Sequence, residues 1–170
     1  MLKKAVHFID HLSEWNGKIT HFLIYGFLGT LVYEIFARYL FNSPTIWAHE
    51  MSTFFYGAYF LLGAAFSLRR GGMISVDILV NRLSRRARAF LNVITFFFLL
   101  SVCLALLWLG GKDALYSWSI RECTNSTWGP PLYPLRMVIP VSAFLLMLQG
   151  MADFIREACI AFTGKELEEI

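Results

Sequence analysis

Six arginines (Arg69, Arg70, Arg82, Arg85, Arg86 and Arg88) crowd into residues 69–88, between two uncharged runs at 51–68 and 89–111. An uncharged apolar run of about 18 residues or more is long enough to cross a hydrocarbon core roughly 30 Å thick. A short loop this basic stays on the cytoplasmic side. The same stretch therefore implies an integral membrane chain and the way it sits. Composition agrees: 57% of residues are hydrophobic and 16% charged, against roughly a quarter charged in soluble domains. A net charge of +3 does not point to nucleic acid, because the basic residues sit beside the apolar runs, where they govern topology and lipid contact.

The expected fold is all-α: one membrane domain over 1–170, a bundle of four transmembrane helices with short interfacial amphipathic helices. Spans are expected at about 19–41, 46–68, 89–111 and 135–152. The first is the odd one. Only 15 residues separate Lys18 from Glu34, too few to cross, so a full span carries Glu34 and Arg38 into the membrane zone. Charges at 10, 14 and 18 interrupt any signal-peptide core, so the first span is expected to be an uncleaved anchor. Apolar residues Phe8, Ile9, Leu12, Trp15 and Ile19 recur at helical spacing in 5–18, and Val76, Leu79, Leu83 and Phe90 do so around 75–88. Both stretches read as helices in the headgroup layer, or as extensions of the neighbouring span.

With the arginine loop inside, four spans put both termini inside. Eleven Lys and Arg then lie on the inner side and four on the outer, a firm bias. The outer loop at 112–136 carries Trp118, Arg121, Trp128 and Tyr133 together with Pro130, Pro131 and Pro134. It reads as an aromatic belt, or as a stiff docking surface for a periplasmic protein.

No phosphate loop, zinc-protease motif or nucleophile elbow is present, so a non-enzyme without cofactor or metal is expected. His7, His11 and Glu14 share a helix face but read as a solvated surface. His21 and His49 fall near opposite ends of their spans, a poor match for a haem site, which needs two histidines at one depth. The remaining chemistry gathers at the first hairpin. Glu34 and Arg38 are one helical turn apart. Trp47, His49 and Glu50 open the second span, and the turn near Asn42 brings Glu50 within reach of the same arginine. Charges at membrane depth face protein or water, so the cluster reads as a structural or subunit-interface pairing.

Three stretches read together carry a resemblance: Trp47-Ala48-His49-Glu50; Gly63-Ala64-Ala65-Phe66-Ser67-Leu68-Arg69-Arg70 running into Met73-Ile74-Ser75-Val76-Asp77; and Pro130-Pro131-Leu132-Tyr133-Pro134 through Arg136 to Val138-Ile139-Pro140-Val141. Met73 stands where a histidine is often found. The whole chain resembles the small, DctQ-type membrane subunit of tripartite ATP-independent periplasmic (TRAP) transporters. The resemblance implies a bacterial inner-membrane protein that pairs with a large, DctM-type subunit carrying sodium and substrate, served by a periplasmic binding protein that delivers an organic acid. Two other readings stay open: the small subunit of a tripartite tricarboxylate transporter, and a haem- or quinone-holding anchor of a redox enzyme.

Single cysteines test the topology after Cys103, Cys123 and Cys159 are replaced by serine. An impermeant maleimide added to intact cells should label positions 124–128 and leave 76–84 unlabelled. Labelling of 76–84 from outside would overturn the assignment.

Overall fold

A computed structural model of the chain describes residues 2–70 and 85–163. Arg82 and the apolar stripe at 76–83 lie outside the described residues, while Arg85, Arg86 and Arg88 open the third long helix. Helix α1 (Leu2–Tyr39) runs unbroken for 38 residues, about 57 Å at 1.5 Å per residue. The 5–18 segment is thus continuous with the first span. No proline interrupts it. Its positions Asp10, Ser13 and Asn16 are buried against neighbouring helices, whereas Phe8 and Trp15 point outward.

Helix α2 (Ile46–Arg69) follows a tight hairpin, in which Asn42 takes a positive φ of 48°, a conformation asparagine tolerates. Helix α3 (Arg85–Ala105) passes through one π-helical stretch (Leu106–Gly110) into α4 (Gly111–Ser119). The expected third span at 89–111 therefore ends too early, and the connection shrinks to 120–132. Lys112 and Asp113 mark the end of the uncharged run and not of the helix; Lys112 folds back over the Trp108 ring, 4.6 Å from its centroid. Helix α5 (Tyr133–Thr163) contains Pro140 and continues past the expected limit at 152 through Asp153 and Arg156.

Four helical stretches are long and apolar enough to cross a membrane: Val6–Tyr39, Ile46–Arg69, Phe90–Ser119 and Tyr133–Cys159. No strand occurs among the described residues, only an isolated bridge between Cys123 and Pro131. Helix directions alternate. The start of α1, the end of α2, the start of α3 and the later half of α5 meet at one end, where Arg69 reaches Asp10, Arg156 reaches Asp10, and Asn92 reaches Glu157. The hairpin, α4 and the start of α5 meet at the other.

Helix α5 packs against all the others, and α1 pairs along α2. The buried apolar residues are small: Ala37, Ala48, Ala65, Cys103, Ala114, Ala143 and Ala152, with Val6 the largest aliphatic. The large ones, such as Phe22, Tyr25, Phe60, Phe98 and Trp108, face outward. Soluble monomers do not expose apolar surface on this scale. Membrane helices do, because lipid solvates the large side chains while small residues let backbones approach.

Gly150 shows how close that approach is. A Cβ there would lie 2.9 Å from Leu99 Cδ2 and 3.5 Å from the Phe96 ring. Gly150→Val should destabilise the α3–α5 contact by about 1–3 kcal/mol, seen as a lower melting temperature of the purified chain in detergent. Gly29 has nothing within 4 Å of its Cβ position. Gly29→Ala should instead raise stability by about 0.5–1 kcal/mol through helix propensity. Equal effects of the two changes would refute the packing described.

Candidate functional site

Polar side chains gather at the two ends of the bundle. At the hairpin end, Glu34 is buried on α1, one turn before Arg38. Arg38 Nη2 donates to Glu34 Oε1 at 2.7 Å and Nε to the same oxygen at 3.2 Å. The second oxygen of Glu34 accepts from the Thr45 backbone N–H at 3.1 Å and also from the Thr45 hydroxyl. Thr45 is the N-cap of α2, yet its hydroxyl makes no cap bond within α2. One carboxylate thus supplies the orphan donor of the next helix's first turn and ties the two helices at their junction.

Glu50 is not part of that knot. Among the described residues Arg38 pairs with Glu34, and Glu50 Oε2 accepts from the Thr124 hydroxyl at 3.3 Å instead. Both charges at the hairpin are therefore claimed by other partners: the Arg38 head by its own helix, and Glu50 by the outer loop, which folds over the start of α2. Trp47 packs on Tyr33 with ring centroids 5.1 Å apart. His49 is exposed, and its carbonyl accepts from Ser52 and Thr53.

The outer loop is a shaped element. Helix α4 ends in a Schellman-type cap: Arg121 N–H donates to Trp118 O at 3.3 Å and Glu122 N–H to Ser117 O at 3.0 Å. Arg121 fills the left-handed position with φ 49°, where glycine is usual. Beyond it, Leu132 N–H donates to Glu122 O and Thr124 N–H to Pro130 O. Arg136 closes the base by pairing with Glu122 at 2.7 Å, and Trp118 stands edge-on to Tyr133 at 4.8 Å. Trp128 is exposed at the tip. Of the residues expected to form a docking surface, Trp118 and Tyr133 meet one another, while Arg121 and Trp128 point their surroundings outward from the turn.

The other end holds a network with no counterpart in the sequence reading. Gln149 on α5 has no exposed surface. It accepts from the Ser13 hydroxyl at 2.6 Å and donates toward Asp10 at 3.4 Å and Asp153 at 3.3 Å. Asp10 in turn pairs with Arg156 of α5 and faces Arg69 of α2 at 3.6 Å. Arg69 also donates to the Asp10 carbonyl at 2.8 Å and pairs with Glu14 at 2.8 Å. Asn16 donates to Leu62 O at 2.6 Å. Three helices are joined by groups 59 to 146 residues apart in sequence. Their helical spacing (10, 13 and 16 on α1; 149, 153 and 156 on α5) was the available signal. It is a polar stripe that on a surface helix would simply face water.

The histidines are separated as expected. His21 touches Phe66 edge-on at 5.8 Å, and 17 residues of α2, about 26 Å of helix, lie between Phe66 and His49. No pair of these two can hold one haem iron.

Comparison with known proteins agrees in outline. The match to the family described as tripartite ATP-independent periplasmic transporters, DctQ component, covers residues 27–160. The C4-dicarboxylate TRAP transporter small permease protein DctQ of Vibrio cholerae is 35% identical over 83 residues, 46% of this chain and 36% of the relative. The sialic acid TRAP transporter permease protein SiaT of Haemophilus influenzae is 29% identical over 164 residues, 93% of this chain and 24% of the relative. The sialic acid TRAP transporter small permease protein SiaQ of Vibrio cholerae is 26% identical over 88 residues, 52% and 47% respectively. The matched stretches thus span less than half the length of each of these relatives. Four membrane-length helices and a family match across most of the chain lead to one conclusion: this membrane protein belongs to the DctQ family of TRAP transporter components.

Proposed function

We propose that the chain is the small permease subunit of a TRAP-type secondary transporter. In this reading it pairs with and braces a large sodium- and substrate-carrying subunit, which takes up an organic acid delivered by a periplasmic binding protein. The carrying observation is the match to SiaT, where nearly all of this chain corresponds to about a quarter of a much longer permease. A segment found inside a longer permease in one relative and as a separate small permease in others fits a chain that works beside a large partner.

The geometry favours bracing over conduction. The two polar ends lie a full α2 apart; Thr45 and Arg69 are 24 residues from one another, about 36 Å along a helix. The small residues between them are buried and apolar, and the charges at each end are engaged with one another. A relay would need ionisable groups through the middle of the membrane. No catalytic role is assigned. The basic end faces the cytoplasm in this reading, and the loop at 120–132 faces the periplasm.

Vesicles containing this chain alone should take up no C4-dicarboxylate or sialic acid under a sodium gradient. Uptake should require the large subunit and the binding protein together. Solute accumulation by the solitary chain would remove the scaffold reading.

The polar knots supply a second test. Asp10→Ala leaves Arg156 and Arg69 without their shared carboxylate, a loss of about 1–3 kcal/mol for partly buried groups. Arg38→Ala frees one oxygen of a buried Glu34. Both variants should lower the yield of co-purified large subunit or the melting temperature of the complex, while the sodium dependence of surviving uptake stays as in the wild type. A normal complex with altered sodium affinity or stoichiometry would instead assign the cluster to coupling.

A further inference from the structure

Arg69 and Arg70 are adjacent but have different surroundings. Arg69 is engaged by Asp10 and Glu14. Arg70 is exposed, has no carboxylate partner among the described residues, and stacks its guanidinium over the Phe66 ring at 4.8 Å. That ring holds the charge in place without neutralising it. Arg70 stands at the mouth of a groove of about 580 Å³ between α1 and α2, a volume typical of a ligand pocket.

The groove is polarised along its length. Arg70 and His21 lie toward the basic end; Ile24, Phe60 and Ala64 line it toward the middle. His21 donates through Nδ1 to the Gly17 carbonyl at 2.6 Å, leaving Nε2 as the ring's remaining polar atom. From Arg70 back to Tyr59 the lining covers 11 residues of α2, about 16 Å. Depth comes from small residues. Gly63 brings α2 so near α1 that a Cβ there would meet Thr20 Cγ2 at 3.3 Å. A fixed cation at a helix end above an apolar trough about 16 Å long matches one kind of occupant: an amphiphile with a negative head and a hydrocarbon tail. Basic pockets between membrane helices at the end with positive loops take anionic lipid headgroups.

We infer that the α1–α2 groove binds one anionic phospholipid, with its phosphate on Arg70 and an acyl chain along Phe60 and Ala64. A free phosphate has no use for the apolar trough, and a neutral lipid has no use for the unpaired guanidinium. The inference stands on the groove itself and not on the transporter reading.

Native mass spectrometry of the full chain in detergent tests it, with phosphatidylglycerol, phosphatidylcholine and inorganic phosphate as probes. One phosphatidylglycerol should be retained per chain, at least fivefold more tightly than phosphatidylcholine, and millimolar inorganic phosphate should not displace it. Arg70→Gln should lose that preference, whereas Arg121→Gln at the opposite end should keep it. Ala64→Leu, which fills the trough without changing a charge, should reduce retention of both lipids. Circular dichroism identifies any variant that fails to fold, and a photoreactive phosphatidylglycerol crosslinking to the peptide around Phe60 in the wild type gives a variant-free readout. Equal retention of the two lipids, displacement by inorganic phosphate, an unchanged Arg70→Gln variant, or crosslinks confined to other helices would each overturn the assignment. So would loss of the bound lipid when the large subunit is co-expressed, since a protein surface would then be the groove's occupant.

Discussion

One carboxylate near the start of the chain is shared by three helices. Asp10 meets Arg69 from α2 and Arg156 from α5, and Gln149 donates to it from the fully buried face of α5. In lipid, helices gain little from hiding apolar surface, since the solvent is as apolar as the side chains. Association then rests on close packing of small residues and on polar links whose only alternative is an unsatisfied group in hydrocarbon or at its edge. Asp10 is such a link at the end where the helices would otherwise splay. It also explains why α1 runs straight through Lys18: its first turns are held by the bundle.

Glu34 does the corresponding work at the far end, by another route. It spans no large sequence distance; it joins the end of α1 to the first residues of α2 through Thr45. Between the two ties lie alanines and glycines. The result is a bundle clamped at both ends and tightly packed between them, with α5 as the shared member. Large aromatic and aliphatic side chains cover its outside, a surface suited to lipid and to a partner helix alike.

The parts legible in the sequence were those governed by local patterns. Uncharged runs marked four spans, the arginine loop marked one end, and spacing of one turn marked the Glu34–Arg38 pair. What stayed hidden depended on contacts between distant segments. Nothing near residue 10 announces Gln149 or Arg156, and nothing near Glu50 announces Thr124, because the outer loop reaches α2 only after α3 and α5 have packed. The third helix was cut short for a different reason. Lys112 and Asp113 end the apolar run, but backbone hydrogen bonding is indifferent to where hydrocarbon stops, and the helix continues to Ser119. Arg121 shows the same limit: as an exposed arginine it suggested recognition, while its backbone is doing a glycine's job in the α4 cap.

The π-helical stretch at Leu106–Gly110 has a bearing on how this fold tolerates insertions and deletions. A π turn holds one residue more than an α turn, so it behaves as a one-residue insertion absorbed inside a continuous helix. Gly110 sits there directly against α5, where a Cβ would fall 2.8 Å from Ile139 Cγ2. Downstream, Ala114 and Ser117 have no exposed surface, so the rotational phase of α4 is set by its packing on α5. Deleting one residue between 106 and 110 would restore regular winding and turn α4 by about 100° about its axis. Its buried face would swing away from α5, carrying the capped end at Ser119 and the loop beyond it. A paired insertion further along, before Ser119, would recover neither Ala114 nor Ser117. Length changes between Phe90 and Ser119 are thus read as rotations of the outer loop, and the bundle can accept them only after 120.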